Sequence, residues 1–347
     1  MRIQSTDSTQ DSTRDDHDEV FRLILAGYGA QVIRTLAGLS VAEQLEIGGA
    51  LTARQIAVQA SSDPGMTFRV LRAGVALGFL TYDPVAEAFG PTSRLGILHK
   101  DSPFTLKHYA QAAGGPAFWH TSLRLPDAVR RGRNYVEEAL GGGLWEFYAH
   151  NDYEARMFRA AMTDVSTPVV REAVSAIEAP DNGYVIDVGG ASGAFVSELL
   201  QRNPRLTGAV LDLPQAMAGV VEQADRCGLG ERMKGIVGDF FESVPAADLY
   251  LLKYILHDWN DESCIEILSN VRRAMNPGAR LFIVEAVLDD QDASAHAALL
   301  DMVMLVCLPG RERDLGEFER LVRAAGLEIC CITALRRPYH LIEAVAS

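Results

Sequence analysis

The chain has 347 residues, 48% of them apolar and 22% charged, an ordinary globular balance and a length that allows two domains with cores of their own. A net charge of −14 argues against nucleic acid and anionic membrane as partners, because both attract basic surfaces. The five cysteines form no C-x-x-C pair and are odd in number, which argues against a disulfide framework or a cysteine-based zinc site and points to the reducing cytoplasm.

Residues 1–17 mix aspartates with Ser, Thr and Gln and read as a solvated, disordered tail. They hold no apolar signal core, so export is not expected. Val20 to Leu45 carries apolar residues at helical spacing. Thr52-Ala-Arg-Gln-Ile56 opens a short helix, and Ser61-Ser-Asp-Pro64 breaks it and starts the next, through Phe68, Leu71 and Val75. Phe79–Tyr82 and Ala88–Pro91, parted by Asp83-Pro84, predict a two-stranded wing. Residues 18–115 thus read as a mostly helical, winged-helix-like domain. Its second helix offers only Arg69 and Arg72 to a nucleic acid, so the shape predicts dimerisation rather than DNA binding or a ligand-sensing regulator.

Residues 116–165 read as a helical linker and pocket region, with an aromatic cluster at Trp145, Phe147, Tyr148, Tyr153 and Phe158 that is packing by default. From Gly183 short apolar runs alternate with helical segments, the pattern of a parallel α/β sheet over 166–347. Strands are expected at Tyr184–Val188, Gly208–Asp212, Met233–Val237, Asp248–Tyr254, Arg280–Glu285, Leu327–Ile332 and His340–Ala344, the last two as a hairpin. Asn276-Pro-Gly278 reads as a stop before the fifth strand. The most apolar run, Ala297–Leu308, is interrupted by Asp301 and is too short to span a bilayer.

The most informative stretch is Tyr184-Val-Ile-Asp-Val-Gly-Gly-Ala-Ser-Gly193, a β-branched strand running into a glycine-rich turn and then a helix from about Phe195. Counting from Gly189, Ala191 falls where a dinucleotide loop needs its second glycine, and no phosphate-binding G-x-x-x-x-G-K-[ST] occurs. An acid at the strand end, Asp187, suits a cofactor with an ammonium group better than a pyrophosphate, and S-adenosylmethionine carries both an ammonium and a sulfonium cation. Asp212, in Asp212-Leu213-Pro214, ends the second strand, where an acid can grip ribose hydroxyls. Asp239 follows the third and could accept from an adenine amino group while Phe240 covers the ring. Any one of these acids is equally a turn or cap residue. Three at successive strand ends after a glycine loop point to one ligand crevice.

These residues resemble the plant-type small-molecule O-methyltransferases, which include bacterial natural-product enzymes. The resemblance covers nearly the whole chain. It rests on D-V-G-G, D-L-P, G-D-F-F, Leu252-Lys-Tyr-Ile-Leu-His-Asp-Trp-Asn-Asp261 and Gly310-Arg-Glu-Arg313, in that order. It implies a Rossmann-like class I methyltransferase domain behind a winged-helix-like dimerisation domain, and a homodimer. The cofactor is then S-adenosylmethionine, held by Asp187, Gly189, Gly190, Gly193, Asp212, Leu213, Asp239, Phe240 and Lys253. His257 is implied as the catalytic base, flanked by Glu285 and Glu312. Phe158, Met162, Asp258, Met304 and Leu308 match positions on the acceptor side, and the acceptor is a hydroxyl on a small aromatic molecule. Ala191 replaces a glycine often found in the loop, and Val165 and Leu308 replace polar residues of plant members, which implies a more apolar pocket. Relatives that decarboxylate or hydroxylate polyketides are the alternative within the fold. Retention of His257, Glu285 and Glu312 favours methylation.

Methyl transfer needs alignment and a destination for the acceptor's proton. With a phenol at about 10 and an imidazole at about 6.5, full transfer before attack is uphill by roughly 4.8 kcal/mol. The base must therefore act as the methyl bond forms, or the phenol must be acidified. His257 follows the fourth strand, at the mouth of the sheet, where a carboxylate on one ring nitrogen would leave the other free to accept. Alone, it could equally cap a turn. Glu285 ends the next strand and is expected to reach the same crevice, and Glu312 follows the helix ending near Leu308. No metal is expected: His120, His150 and His296 lack ligand spacing.

Overall fold

The computed structural model describes residues 8–289 and 296–347, with side chains from residue 14 onward. Residues up to Trp119 together with Asn151–Val165 form one compact unit, and His120–His150 with Ser166–Ser347 form the other.

In chain order the first stretch comprises α1 (Ser8–Gly38), α2 (Val41–Gly48), β1 (Leu51–Thr52), α3 (Ala53–Gln59), α4 (Pro64–Ala76), β2 (Leu80–Asp83), β3 (Ala88–Pro91), α5 (Lys107–Ala113) and α6 (Pro116–Ser122). Of the expected tail, residues 1–7 lie outside the described residues, and α1 takes in the chain from Ser8. Helix periodicity hides a break: α1 and α2 part at Ser40, whose φ is 53°. Thr52 caps α3 in a reciprocal capping box with Gln55, and Asp63 caps α4 ahead of Pro64. The wing has three strands in the order β1-β3-β2, because Leu51-Thr52, too short to show a period, pairs with Phe89 and Ala88.

The chain continues through α7 (Leu125–Arg131), α8 (Val136–Leu140), α9 (Leu144–His150) and α10 (Asp152–Ala176) to β4 (Gly183–Val188), α11 (Ala194–Arg202), β5 (Leu206–Asp212), α12 (Met217–Arg226), β6 (Met233–Val237), β7 (Ala247–Lys253), α13 (Asp261–Ala274) and β8 (Met275–Ala286). It ends in α14 (His296–Cys307), α15 (Leu315–Ala324), β9 (Leu327–Ala334) and β10 (Tyr339–Ala346). The seven-stranded sheet has the order β6-β5-β4-β7-β8-β10-β9, parallel except for the antiparallel pairings of β10 with β8 and β9. Both faces are apolar: Ile186, Val188, Leu252 and Ile283 enter one core, Val185, Leu251 and Val284 the other. The fifth expected strand begins earlier than predicted. The helix does stop at Ala274, but Asn276-Pro-Gly278 lies inside β8, where the register against β7 shifts and Gly278 takes φ 80°. The turn residues there make a bulge instead of a break.

Strand order, not strand direction, reverses between β4 and β7: successive strands run outward from β4 to β6, then resume on its other side. That switch point opens a crevice at the carboxyl ends of the strands, the default ligand site of such sheets.

Candidate active site

β4 delivers Asp187 to this crevice. Its side chain is buried and accepts from the Val196 amide of α11 at 3.2 Å. Burial pushes its carboxyl up to about 6, against the pull of that N–H and of Lys253. The loop behind it is tight. A Cβ on Gly190 would fall 2.4 Å from Asp187 Cγ, and Gly193, at φ 79°, would put one 2.2 Å from Met233 Cε. Gly189 donates to the Leu211 carbonyl at 2.8 Å. Ala191, the departure in the loop, sits at φ 50° and donates to Asp212 Oδ2 at 2.8 Å.

Asp212 at the end of β5 accepts from Ala191 through one oxygen and from Leu213 N–H, at 2.7 Å, through the other. Burial raises its pKa. Asp239 accepts from the Phe241 amide at 2.8 Å, a local turn bond, so the bland reading of this acid is also satisfied. Phe240 meets Trp259 edge-on at 6.2 Å, and the space above Gly189 lies between Phe240 and Ile255. Leu213 is exposed. Lys253 ends β7 with its ammonium 4.2 Å from the Tyr254 ring centroid. Burial lowers its pKa, opposed by Asp187, Glu285 and Asp258.

His257 stands on the short turn Leu256–Asp258 after β7. Its Nδ1 lies 2.9 Å from Glu312 Oε1 and 3.9 Å from Glu285 Oε2, and its Nε2 lies 3.3 Å from Asp258 Oδ1. Glu285, at the end of β8, is fully buried, and its Oε1 accepts from the Ile255 and Leu256 amides at 2.9 and 2.8 Å. Glu285 Oε2 and Glu312 Oε2 are buried with no hydrogen-bond partner among the described residues. Burial alone would pull the imidazole down, but Glu285, Asp258 and Glu312 outweigh it and hold His257 up to about 10. Burial lifts Glu285 to about 7 and Asp258 to about 6, in each case against the pull of His257. The ligating atoms of His257, Glu285 and Glu312 lie within 4.8 Å of one another, a spacing that would also admit a cation.

Replacing Glu312 by Gln removes one of the charges that hold the imidazole proton. The alkaline rise of kcat/KM, measured at saturating cofactor, is then expected at a lower pH than in the wild type, with a lower plateau because the ring loses its orienting acid. An inflection that stays in place would contradict the assigned pairing.

Of the acceptor-side residues, Leu308 and Asp258 line a cavity of about 250 Å³ with Asn134, Val136, Leu144, Trp145, Trp259 and Cys307. Met304 is buried one turn earlier on α14 and does not line that cavity. Phe158 and Met162 lie on the part of α10 that belongs to the first unit, where Phe158 packs against Phe118 at 6.3 Å. Asn134 was not foreseen. It donates to the Leu308 carbonyl at 3.2 Å, a contact across 174 residues that leaves no local signal. Trp145, read as packing, is half exposed at the cavity.

Residues 122–328 match the O-methyltransferase domain family. The chain belongs to this O-methyltransferase family. Its enzymes depend on S-adenosylmethionine, and so does this one. The methyltransferase is 33% identical over 305 residues to O-demethylpuromycin-O-methyltransferase of Streptomyces alboniger, covering 84% of this chain and 79% of that protein. It is 32% identical over 220 residues to O-methyltransferase 12 of Dictyostelium discoideum; the match takes in 63% of this chain and 59% of that protein. Among solved structures, a methyltransferase of calicheamicin biosynthesis with S-adenosylhomocysteine bound superposes with a TM-score of 0.83 at 26% identity, covering 99% of this chain and all of that one.

The crevice fits the methyl donor on its own chemistry. Among the described residues Asp187, Asp258, Glu285 and Glu312 are set against the cations Lys253 and His257, Asp212 is held by backbone amides, and two buried carboxylate oxygens are left without a hydrogen-bond partner. Such an excess of acid in a low-dielectric site is relieved by a cationic ligand.

Proposed function

We propose that the enzyme methylates a phenolic hydroxyl of a small aromatic secondary metabolite, in a pathway of the antibiotic type, with His257 as general base. The observation that carries this reading is the imidazole on the turn after β7, held at Nδ1 by Glu312, 2.9 Å away, with the buried Glu285 3.9 Å from the same nitrogen. Asp187, Asp212, Asp239, Phe240 and Lys253, with Gly189, Gly190, Gly193 and Leu213, would hold the cofactor. When bound, S-adenosylmethionine supplies an electrophilic methyl group, and its positive charge weakens the hold of the crevice on a proton.

The acids set the proton's destination. The sequence alone left the phenol's proton about 4.8 kcal/mol too tightly held for an ordinary imidazole. With three carboxylates around it His257 rises to about 10, the range of a phenol, so sharing the proton within the pair becomes nearly level. The cost moves to emptying the imidazole beforehand. Glu312 fixes Nδ1 as the protonated nitrogen, which turns Nε2 toward the acceptor side, where Asp258 stands beside the cavity. Apolar walls of Val136, Leu144, Trp145, Cys307 and Leu308 suit a flat ring and exclude water, and Asp258 and Asn134 supply polar contacts. The test is incubation with methyl-labelled cofactor and a panel of hydroxylated aromatics. Label must appear on an aromatic hydroxyl; products that have lost carbon dioxide or gained a hydroxyl would favour the alternative chemistry.

The enzyme is proposed to work as a homodimer in the cytoplasm. Its cysteines are all free, which suits a reducing compartment. α1 exposes Phe21, Ile24, Leu25 and Tyr28 as a stripe at three- and four-residue spacing. Over Arg14–Gly38 this helix is long and apolar enough to cross a membrane by length and composition. The stripe and the flanking Glu19–Arg22 pair at 2.6 Å fit a second copy of the chain better than lipid. Ile24→Asp with Tyr28→Asp is expected to halve the mass measured by light scattering. An unchanged dimer, or a wild-type monomer, would contradict this assignment.

A further inference from the structure

The sequence motif Gly310-Arg-Glu-Arg313 places one acid, Glu312, against the catalytic imidazole and leaves its arginines without a role. Arg313 is the largest fully buried side chain among the described residues, at 0% exposure. A buried guanidinium is costly unless all of its donors are satisfied. Here they are. Nη1 donates to the Leu256 carbonyl at 2.8 Å and to the Arg311 carbonyl at 3.4 Å. Nη2 donates to the Trp259 carbonyl and to Asp261 Oδ1, both at 2.8 Å, and Nε donates to Asp261 Oδ1 at 3.0 Å.

The Leu256 and Trp259 carbonyls are those immediately outside the His257-Asp258 pair. We propose that Arg313 is a positioning residue for the methyl-transfer reaction: its planar fork spans the turn from Leu256 to Trp259 and fixes the direction of the His257 ring. This inference rests on the reading of His257 as the base.

Further contacts hold the turn and the segment that carries Arg313. Glu285 Oε1 accepts the Ile255 and Leu256 amides, so the acid holds the N–H side while Arg313 holds the carbonyl side. Gly310 lies so close that a Cβ there would fall 2.0 Å from the His257 carbonyl oxygen. The Arg313 backbone is tied to the segment just after β8, its carbonyl accepting from Leu288 at 2.9 Å, with a bridge to Val287. One short segment therefore carries both the acid that orients the imidazole and the cation that holds the backbone under it. Asp261, at the first turn of α13, neutralises the guanidinium and is shared with Arg311 at 3.0 Å. A lysine cannot reproduce this, because an ammonium is a point donor and cannot bridge two carbonyls and a carboxylate in one plane.

The test compares Arg313→Lys, Arg313→Ala and Asp261→Asn with the wild type and with His257→Ala. Arg313→Lys is expected to lower kcat by between about 10- and 100-fold, with the acceptor KM and the cofactor Kd each changed less than about threefold. The pH inflection of kcat/KM should move, because the His257–Glu312 contact loosens. Free guanidine at low millimolar concentration should restore part of the Arg313→Ala rate. Should the Arg313 variants fold poorly, Asp261→Asn keeps the clamp but loosens it, and a severalfold loss of kcat with the same shift in inflection is expected. A variant with a lower Tm but with wild-type kcat and inflection per folded molecule would overturn the positioning role. His257→Ala retaining near-normal turnover would instead overturn the reading on which it rests.

Discussion

His257→Ala is expected to lower kcat by between about 100- and 10,000-fold, the usual contribution of a positioned general base. Cofactor affinity should hold to within about threefold, because the contacts of the imidazole are with Asp258, Glu285 and Glu312 rather than with the glycine loop. The effect belongs to the proton, not to packing. The His257 side chain is 18% exposed, and its removal leaves the Glu285 bonds to the Ile255 and Leu256 amides intact. His257→Gln keeps a polar group of similar reach but cannot take up a proton at neutral pH, so it should lose nearly as much. Single-turnover rates with either variant, alongside calorimetric titration with S-adenosylmethionine, separate the two quantities. A loss of cofactor binding equal to the loss of rate would move His257 from the base position to the cofactor site.

Asp212→Ala should produce the opposite split. Asp212 holds the glycine loop through Ala191 and the start of the next segment through Leu213, and its oxygens retain lone pairs for ligand hydroxyls. Hydrogen bonds to a charged partner contribute about 1.5–3 kcal/mol, so the Kd for S-adenosylmethionine should rise by between about 10- and 150-fold. Turnover at saturating cofactor should fall far less. Asp212→Asn keeps the shape and part of the acceptor capacity and should lie between the two. An unchanged Kd, measured on folded protein, would reduce Asp212 to a turn residue.

Much of this was legible in the residues because the information is local. Tyr184–Val188 alternates apolar side chains on both faces, and the turn behind it needs glycine where the backbone is left-handed or crowded by Asp187. The helix start at Thr52, the one at Asp63-Pro64 and the wing turn at Asp83 are likewise short-range chemistry. Long-range pairings were not legible. β1 owes its existence to Phe89, some forty residues on, and the bulge at Gly278 is decided by β7. In the site, Glu285 could be placed from the end of a strand. The approach of Glu312 to His257 depends on a contact across 55 residues, and the Arg313 clamp on contacts across 54 and 57 residues, so neither leaves a periodicity to read. The raised proton affinity of His257 is further still from the sequence, since it is the sum of burial and three carboxylates from three segments.

The most direct measurement supplies the enzyme with S-adenosylmethionine carrying a ¹³C-labelled methyl group and a panel of phenols, and locates the label in the products by NMR. The account predicts a labelled methyl ether on an aromatic ring, formed by the wild type and lost in His257→Ala. Label on carbon or nitrogen, or an equal yield of ether from both proteins, would contradict it.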